Sequence, residues 1–309
     1  MNFSVFKREI GNNSRIRPFL YDDKTGYSAE FLSPENHEKR NQWKLRLIER
    51  SDDLSRVFEI FMKSKIVWFT AKGFSLGVTA YDDVFRRPFS DLDIFVAEDN
   101  YSKAADLLEA VGGVDQKNRE KDIHGVFRMP SGLTVELHHH LSREHWYGEK
   151  LYKDMLKNVL LMQYGKIHFC VPPMEMHALY IVLHAFNHSF LLDVSWMYDL
   201  LLVMNKAGMT SDFLAELGDK YGMGDIVKTG IFLCSRYIEG FPEFQKGYSV
   251  RQIFFARIIS RFIERDIETT QRWSWMIRLG MAPGIIDGGR WLSVKIIRRL
   301  RQKCLKTNT

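Results

Sequence analysis

The sequence predicts an α+β module, followed by an all-helical module and a basic tail. Three observations carry this. Between residues 66 and 138 short apolar runs alternate with turns and helical stretches. From about residue 145 the texture becomes helical, apart from a strand-like run over residues 167–171. Pro172-Pro173 separates the two textures, because proline donates nothing to a strand ladder.

Residues 1–35 show no clear period and read as an irregular arm or short hairpin. Over residues 36–63, Trp43, Leu47, Leu54, Val57, Phe58 and Phe61 recur at helical spacings. Ile66 to Phe69 reads as a short buried strand, with Lys72-Gly73 supplying a tight turn into a helix over residues 74–81. Leu92 to Val96 is a second strand. Tyr101 to Val111 is an amphipathic helix, stopped by Gly112-Gly113. Residues 125–129 and 133–138 pair around a Pro130-Ser131-Gly132 turn. Beyond Met174 four or five helices are expected to about residue 271, with breaks near Gly208, Gly222 and Gly240.

The chain of 309 residues, 45% hydrophobic and 27% charged, can bury a core without staples. Cys170, Cys234 and Cys304 are odd in number and lack metal spacing, which fits a reducing, cytoplasmic setting. The first ten residues lack the apolar core of a signal peptide. The most apolar stretch, 176–204, carries His184, Asn187, His188, Asp193 and Asp199, which argues for buried helices rather than a membrane span. Seven lysines and arginines follow Asp287 with no acid among them, and they exceed the whole net charge of +6. The body is therefore near neutral, so no specific nucleic-acid partner is expected.

The sharpest local feature is Ser90-Asp91-Leu92-Asp93-Ile94-Phe95-Val96. Alternate strand residues share a face, so Asp91 and Asp93 project together. Paired carboxylates repel unless a cation offsets them, and Mg²⁺ or Mn²⁺ commonly takes one or two carboxylates plus substrate phosphates. A solvated strand edge is the plain alternative. Against it, the pair opens an apolar strand, and Val135-Glu136-Leu137-His138 adds a third carboxylate with His138 on the same face. Gly73-Phe74-Ser75 begins a helix, where backbone N–H groups favour phosphate, and Lys72 and Arg87 add positive charge.

Taken in order, Lys72-Gly73, Arg87-Pro88, Asp91-Leu92-Asp93 and Val135-Glu136-Leu137-His138 resemble the uncharacterised nucleotidyltransferase family of the DNA-polymerase-β-like superfamily. Pro173-Met174-Glu175, His184, His188 and Asp199 extend the resemblance, which covers about residues 45–205. It implies a small mixed sheet flanked by helices, and in-line attack on the α-phosphate of a metal-bound NTP. Asp91, Asp93 and Glu136 would hold Mg²⁺ or Mn²⁺ and form the catalytic group. Lys72, Gly73, Ser75 and Arg87 would bind the nucleotide. The chain departs from the superfamily in separating Gly73 from Ser75 by one residue, and in using the longer Glu136 where aspartate is frequent. The expected division is 1–45 for an arm and the start of the first helix, 46–171 for the nucleotidyltransferase-like domain, 172–272 for the helical domain and 273–309 for a basic amphipathic tail.

His138-His139-His140 also admits a zinc reading, in which His138 and His140 share a face and Glu136 or the His184/His188 pair completes the set. His177, His184 and His188 fall on one helix face. His138, His184 and His188 are accordingly expected as polar neighbours of the metal. In the tail, Leu292, Ile296, Ile297 and Leu300 oppose Lys295, Arg298, Arg299 and Lys303, a pattern fit for docking on the protein or on an anionic membrane surface. Docking on the protein is favoured, because Trp291 and Val294 blur the segregation. The leading functional reading is NTP-dependent nucleotidyl transfer to an unidentified acceptor in a biosynthetic pathway. The alternative is a catalytically silent nucleotidyltransferase fold that binds a nucleotide or a partner as an accessory module, recruited to a membrane by its tail.

Overall fold

The computed structural model describes residues 34–81, 84–116, 124–142, 147–190 and 195–263, with Ile277 and Met281. The arm over residues 1–33 and the basic stripe from Arg290 to Lys306 lie outside the described residues. The helical run expected over residues 36–63 is two helices, α1 (Pro34–Glu49) and α2 (Ser51–Lys63), joined at Arg50. Leu54, Val57, Phe58 and Phe61 form the buried stripe of α2. Strand β1 (Trp68–Ala71) starts two residues later than expected. Ile66 N–H donates instead to Ser64 Oγ (3.2 Å), and the ladder opens only where Trp68 faces Val96.

Helix α3 (Gly73–Thr79), a 3-10 turn at Val84–Arg86, β2 (Asp91–Val96), a second 3-10 turn at Glu98–Asn100 and α4 (Tyr101–Ala110) follow. Then come β3 (Val114–Asp115), β4 (His124–Arg128) and β5 (Thr134–His138). The five strands form one sheet in the order β1-β2-β5-β4-β3. β2 and β5 run parallel and every other pair is antiparallel, so the sheet is mixed, as the resemblance implies.

Strand alternation gives this sheet two different faces. Trp68, Leu92, Ile94, Val96, Val135 and Leu137 point into an apolar core with α1, α2 and α4. Asp91, Asp93, Phe95, Glu136 and His138 take the alternate positions along β2 and β5 and so look the other way. Asp53 of α2 steadies the β4–β5 turn by accepting the Ser131 N–H (2.7 Å).

Helix α5 (Glu149–Lys157) leads into a hairpin of β6 (Leu160–Tyr164) and β7 (Ile167–Val171). β7 lies at the expected position, but β6 is a correction to the helical reading of that stretch. Leu160 and Leu161 are exposed, so their apolar character marks no buried helix face. β7 packs on α2 and β1. The helical module comprises α6 (Met174–Asn187), α7 (Ser195–Ala207), α8 (Ser211–Lys220), α9 (Gly224–Tyr237) and α10 (Val250–Ile263). Its core takes in Phe69, Ala71 and Phe95 of the sheet, and also Ile277 and Met281. The module therefore lies over the face that carries the carboxylates. Among the described residues no helix is long and apolar enough to cross a membrane.

Candidate active site

The parallel register sets Asp93 opposite Glu136 and Phe95 opposite His138. His138 Nε2 lies 2.9 Å from Asp93 Oδ1 and 3.4 Å from Glu136 Oε2. A row of rings crosses four strands and packs His138 in place. Phe69 stacks on Phe95 (centroids 4.9 Å apart), Phe95 on His138 (4.7 Å) and His138 on His124 (5.2 Å). His124 reaches Glu136 from the neighbouring strand at 3.9 Å.

The turn between β1 and α3 supplies the counter-charge. Lys72 Nζ pairs with Asp93 Oδ2 at 3.0 Å and lies over the Tyr180 ring. Gly73, at φ 24°, is required by crowding, because a Cβ there would come within 2.9 Å of Phe89 Cβ and 3.4 Å of the Asp91 carbonyl oxygen. Asp91 lines the same cavity and accepts from Ser90 Oγ at 3.2 Å.

The electrostatics separate the three carboxylates. Burial raises the Asp91 carboxyl above its ordinary value, and the negative charges of Asp93 and Glu136 push the same way. Burial would also raise Asp93, but Lys72 and the His138 imidazole outweigh it and hold Asp93 far below the usual carboxylate range. Hydrogen bonding to His138 lowers Glu136. His138 is itself raised, its hydrogen bonds to Asp93 and Glu136 overcoming its burial. Three acids thus share the sheet face of one cavity, and two are kept ionised, Asp93 by Lys72 and His138, and Glu136 by His138 of its own strand.

The cavity has a volume of about 470 Å³, within the range of small-molecule sites. Its floor is the sheet face, and its far wall is formed by Tyr180, His184 and His188 of the α6 segment with Trp196 and Asp199 of α7. Burial, with help from Lys72 and His188, keeps His184 neutral. Asp199 ties the wall to the floor. It accepts from Arg87 Nε (2.7 Å) and Nη2 (2.8 Å) and from Tyr81 Oη (2.6 Å).

Asp91, Asp93, Glu136, Lys72, Gly73, Arg87, His138, His184 and His188, all picked out from sequence, line this one cavity. Three expectations are corrected. Ser75 turns away, fully buried, its hydroxyl donating to the Lys72 carbonyl at 2.8 Å. Arg87 braces the two modules through Asp199 rather than presenting a free fork to phosphate. His138 and His140 do not form one ligand set, because β5 ends at His138. His140 groups instead with His139 and Glu98, while Asp93, Glu136 and His138 bring their ligand atoms within 4.8 Å of one another.

The structure adds His124, Tyr180 and His177 to the site. The sequence signal for His124 was its register with His138, visible once the β4–β5 hairpin is extended by one residue. His177 donates nothing to the cavity lining, but its Nε2 accepts the Lys72 backbone N–H at 2.9 Å.

The family model described as an uncharacterised nucleotidyltransferase covers residues 15–239. No curated protein matches the chain.

Proposed function

The chain belongs to the uncharacterised nucleotidyltransferase family, and we propose that it transfers a nucleotidyl group from a metal-bound NTP to a small-molecule or peptide-derived acceptor. The observation that carries this reading is the meeting of Asp93 and Glu136 across a parallel strand pair, with Asp91 on the same face and Lys72 alongside.

The donor set fits a hard divalent cation. Asp91, Asp93 and Glu136 offer oxygens, as Mg²⁺ prefers, and the His138 nitrogen beside them would ligate Mn²⁺ once it gives up the proton that it shares with Asp93 and Glu136. Burial raises Asp91 most, and the repulsion from Asp93 and Glu136 that adds to it marks a place where positive charge would be stabilising. When bound, such an ion would stabilise the charge that develops on the transferring phosphoryl group.

The chain's own residues do the rest. Lys72 brings an ammonium to the carboxylate cluster and the cavity. The acceptor oxygen or nitrogen bonds to the α-phosphorus, the bond to the β-phosphate oxygen breaks, and pyrophosphate leaves. The acceptor's proton passes to the carboxylate cluster or to solvent. His138, fixed by the ring row, keeps Asp93 and Glu136 aimed at one point. The α6–α7 wall encloses the reactants, which strengthens each charge interaction. A catalytically silent fold remains the second reading, since Lys72 already occupies one Asp93 oxygen. We place the protein in the cytoplasm on its cysteine usage, with the basic tail meeting either the protein body or an anionic membrane.

The test is a panel of NTPs with Mg²⁺ or Mn²⁺ and candidate acceptors, read as pyrophosphate release. The expected result is metal-dependent release that Asp93→Asn abolishes. Nucleotide binding without turnover under any combination would favour the silent reading. Co-sedimentation with anionic vesicles at low salt, lost on deletion of residues 288–309, tests the membrane role of the tail.

A further inference from the structure

Lys72 holds a backbone conformation that residues with side chains seldom adopt, φ 57° and ψ −150°. Such strain persists only where the surroundings over-determine it, and it concentrates at functional sites. Three restraints act on this residue. Its carbonyl accepts from Leu76 N–H (2.9 Å) and Ser75 Oγ (2.8 Å), both of α3. Its ammonium pairs with Asp93. Its N–H donates to Nε2 of His177, 105 residues away in the first turn of α6. The third bond ties the backbone of this residue to the helical module, whose Tyr180 ring also lies beside the ammonium.

The choice of imidazole has a physical reason. The start of a helix presents N–H groups rather than carbonyls, so an acceptor for Lys72 has to come from a side chain. A carboxylate there would compete with Asp93 for the nearby ammonium. A neutral imidazole accepts the hydrogen bond without adding charge. His177 is 2% exposed, and its Nε2 is the acceptor, which assigns its proton to Nδ1.

We propose that His177 is a positioning residue for nucleotidyl transfer. By accepting the Lys72 N–H it holds the turn before α3 in the conformation that delivers the Lys72 ammonium to Asp93 and the cavity. This rests on the reading of the cavity as an NTP site, and it adds that the helical module sets the geometry of a residue on the sheet.

Two measurements on the full chain test it. In ¹⁵N-labelled protein, scalar coupling across the N–H···N bond should link the Lys72 amide to His177 Nε2, and absence of that coupling would overturn the proposal. Inorganic triphosphate with Mn²⁺ is then titrated calorimetrically into the wild type, His177→Gln, His177→Leu and Lys72→Met, with melting temperatures recorded. The leucine variant should lose about tenfold in affinity and match Lys72→Met, as expected for a misplaced charge-assisted contact. The glutamine variant, whose amide oxygen can accept the same bond, should stay within about threefold of wild type. Wild-type binding by the leucine variant would sink the proposal. So would equal losses in both His177 variants with equal falls in melting temperature, which mark packing alone. Coupling present in a wild type that binds no triphosphate would refute the nucleotide reading and the positioning role together. Binding without the coupling would refute the role of His177 and leave the nucleotide reading standing.

Discussion

Two clusters of carboxylate and imidazole groups lie on, or just beyond, the same two strands, and their settings differ. Asp93, Glu136 and His138 sit on the face covered by the helical module, and Asp93 is only 3% exposed. Strand register, the ring row and Lys72 hold them. Glu98, His139 and His140 also have their ligand atoms within 4.8 Å of one another, but they follow the strand ends, Glu98 is exposed, and they line an adjoining cavity of about 190 Å³ that shares His140 with the first. The comparison teaches that the kinds of ligand do not by themselves make a site. Low dielectric and a backbone that cannot relax convert three polar groups into a strong local field.

The largest effect should come from breaking the buried cluster. Asp93→Asn is expected to lower Mn²⁺ affinity at least about 100-fold, beyond what loss of an outer partner usually costs, and calorimetry reads it. Next comes the brace behind that cluster. Asp199→Ala leaves the Arg87 guanidinium buried without its bidentate partner, so chemical denaturation should show a loss of about 3–5 kcal/mol.

The pH dependence of stability sharpens the contrast further. Burial lowers His177 to about 4 from its ordinary 6.5. Between those values the unfolded chain binds a proton that the folded chain does not. The associated stability is therefore complete above about pH 6.5 and is lost as the pH falls towards 4, by about 3 kcal/mol. His184 acts with the same sign. Denaturation midpoints of wild type and His177→Gln should converge across this window. The smallest effect belongs to the cluster beyond the strand ends, of which only Glu98 is exposed. The double substitution His139→Ala and His140→Ala should leave Mn²⁺ affinity at the buried cluster within about twofold of wild type, because neither imidazole belongs to the Asp93, Glu136 and His138 ligand set. A larger fall would show that the two clusters are not independent.

Reading the residues alone reached further on the floor of the site than on its wall. Asp91, Asp93, Glu136 and His138 were legible because strand alternation is a local rule, and each sits in an apolar run that fixes its face. The parallel pairing of β2 with β5 was not legible, since register between distant strands depends on the whole sheet. Ser75 was misread because a helix start looks the same whether its hydroxyl turns outward or back to the preceding carbonyl. Arg87 was misread because its partner, Asp199, lies on α7 and no local pattern links them. His177 showed only as one of three histidines on a helix face, and its bond to Lys72 required both modules in place. The split of the first helical run at Arg50 and the β6 strand were lost because apolar spacing does not reveal where hydrogen bonds stop.

The parallel closure of β2 on β5 also orders events in time. Asp93 and His138 are 45 residues apart, and α4, β3 and β4 lie between their strands. A refolding chain can form its helices and the β4–β5 hairpin early, since these contacts are local. It has no acidic centre until the long loop closes and the central strands align. An ion drawn to that centre therefore finds no purchase on partly formed chains. It should leave the refolding rate nearly unchanged and slow unfolding, so that its hold on the protein is felt as longevity of the finished state.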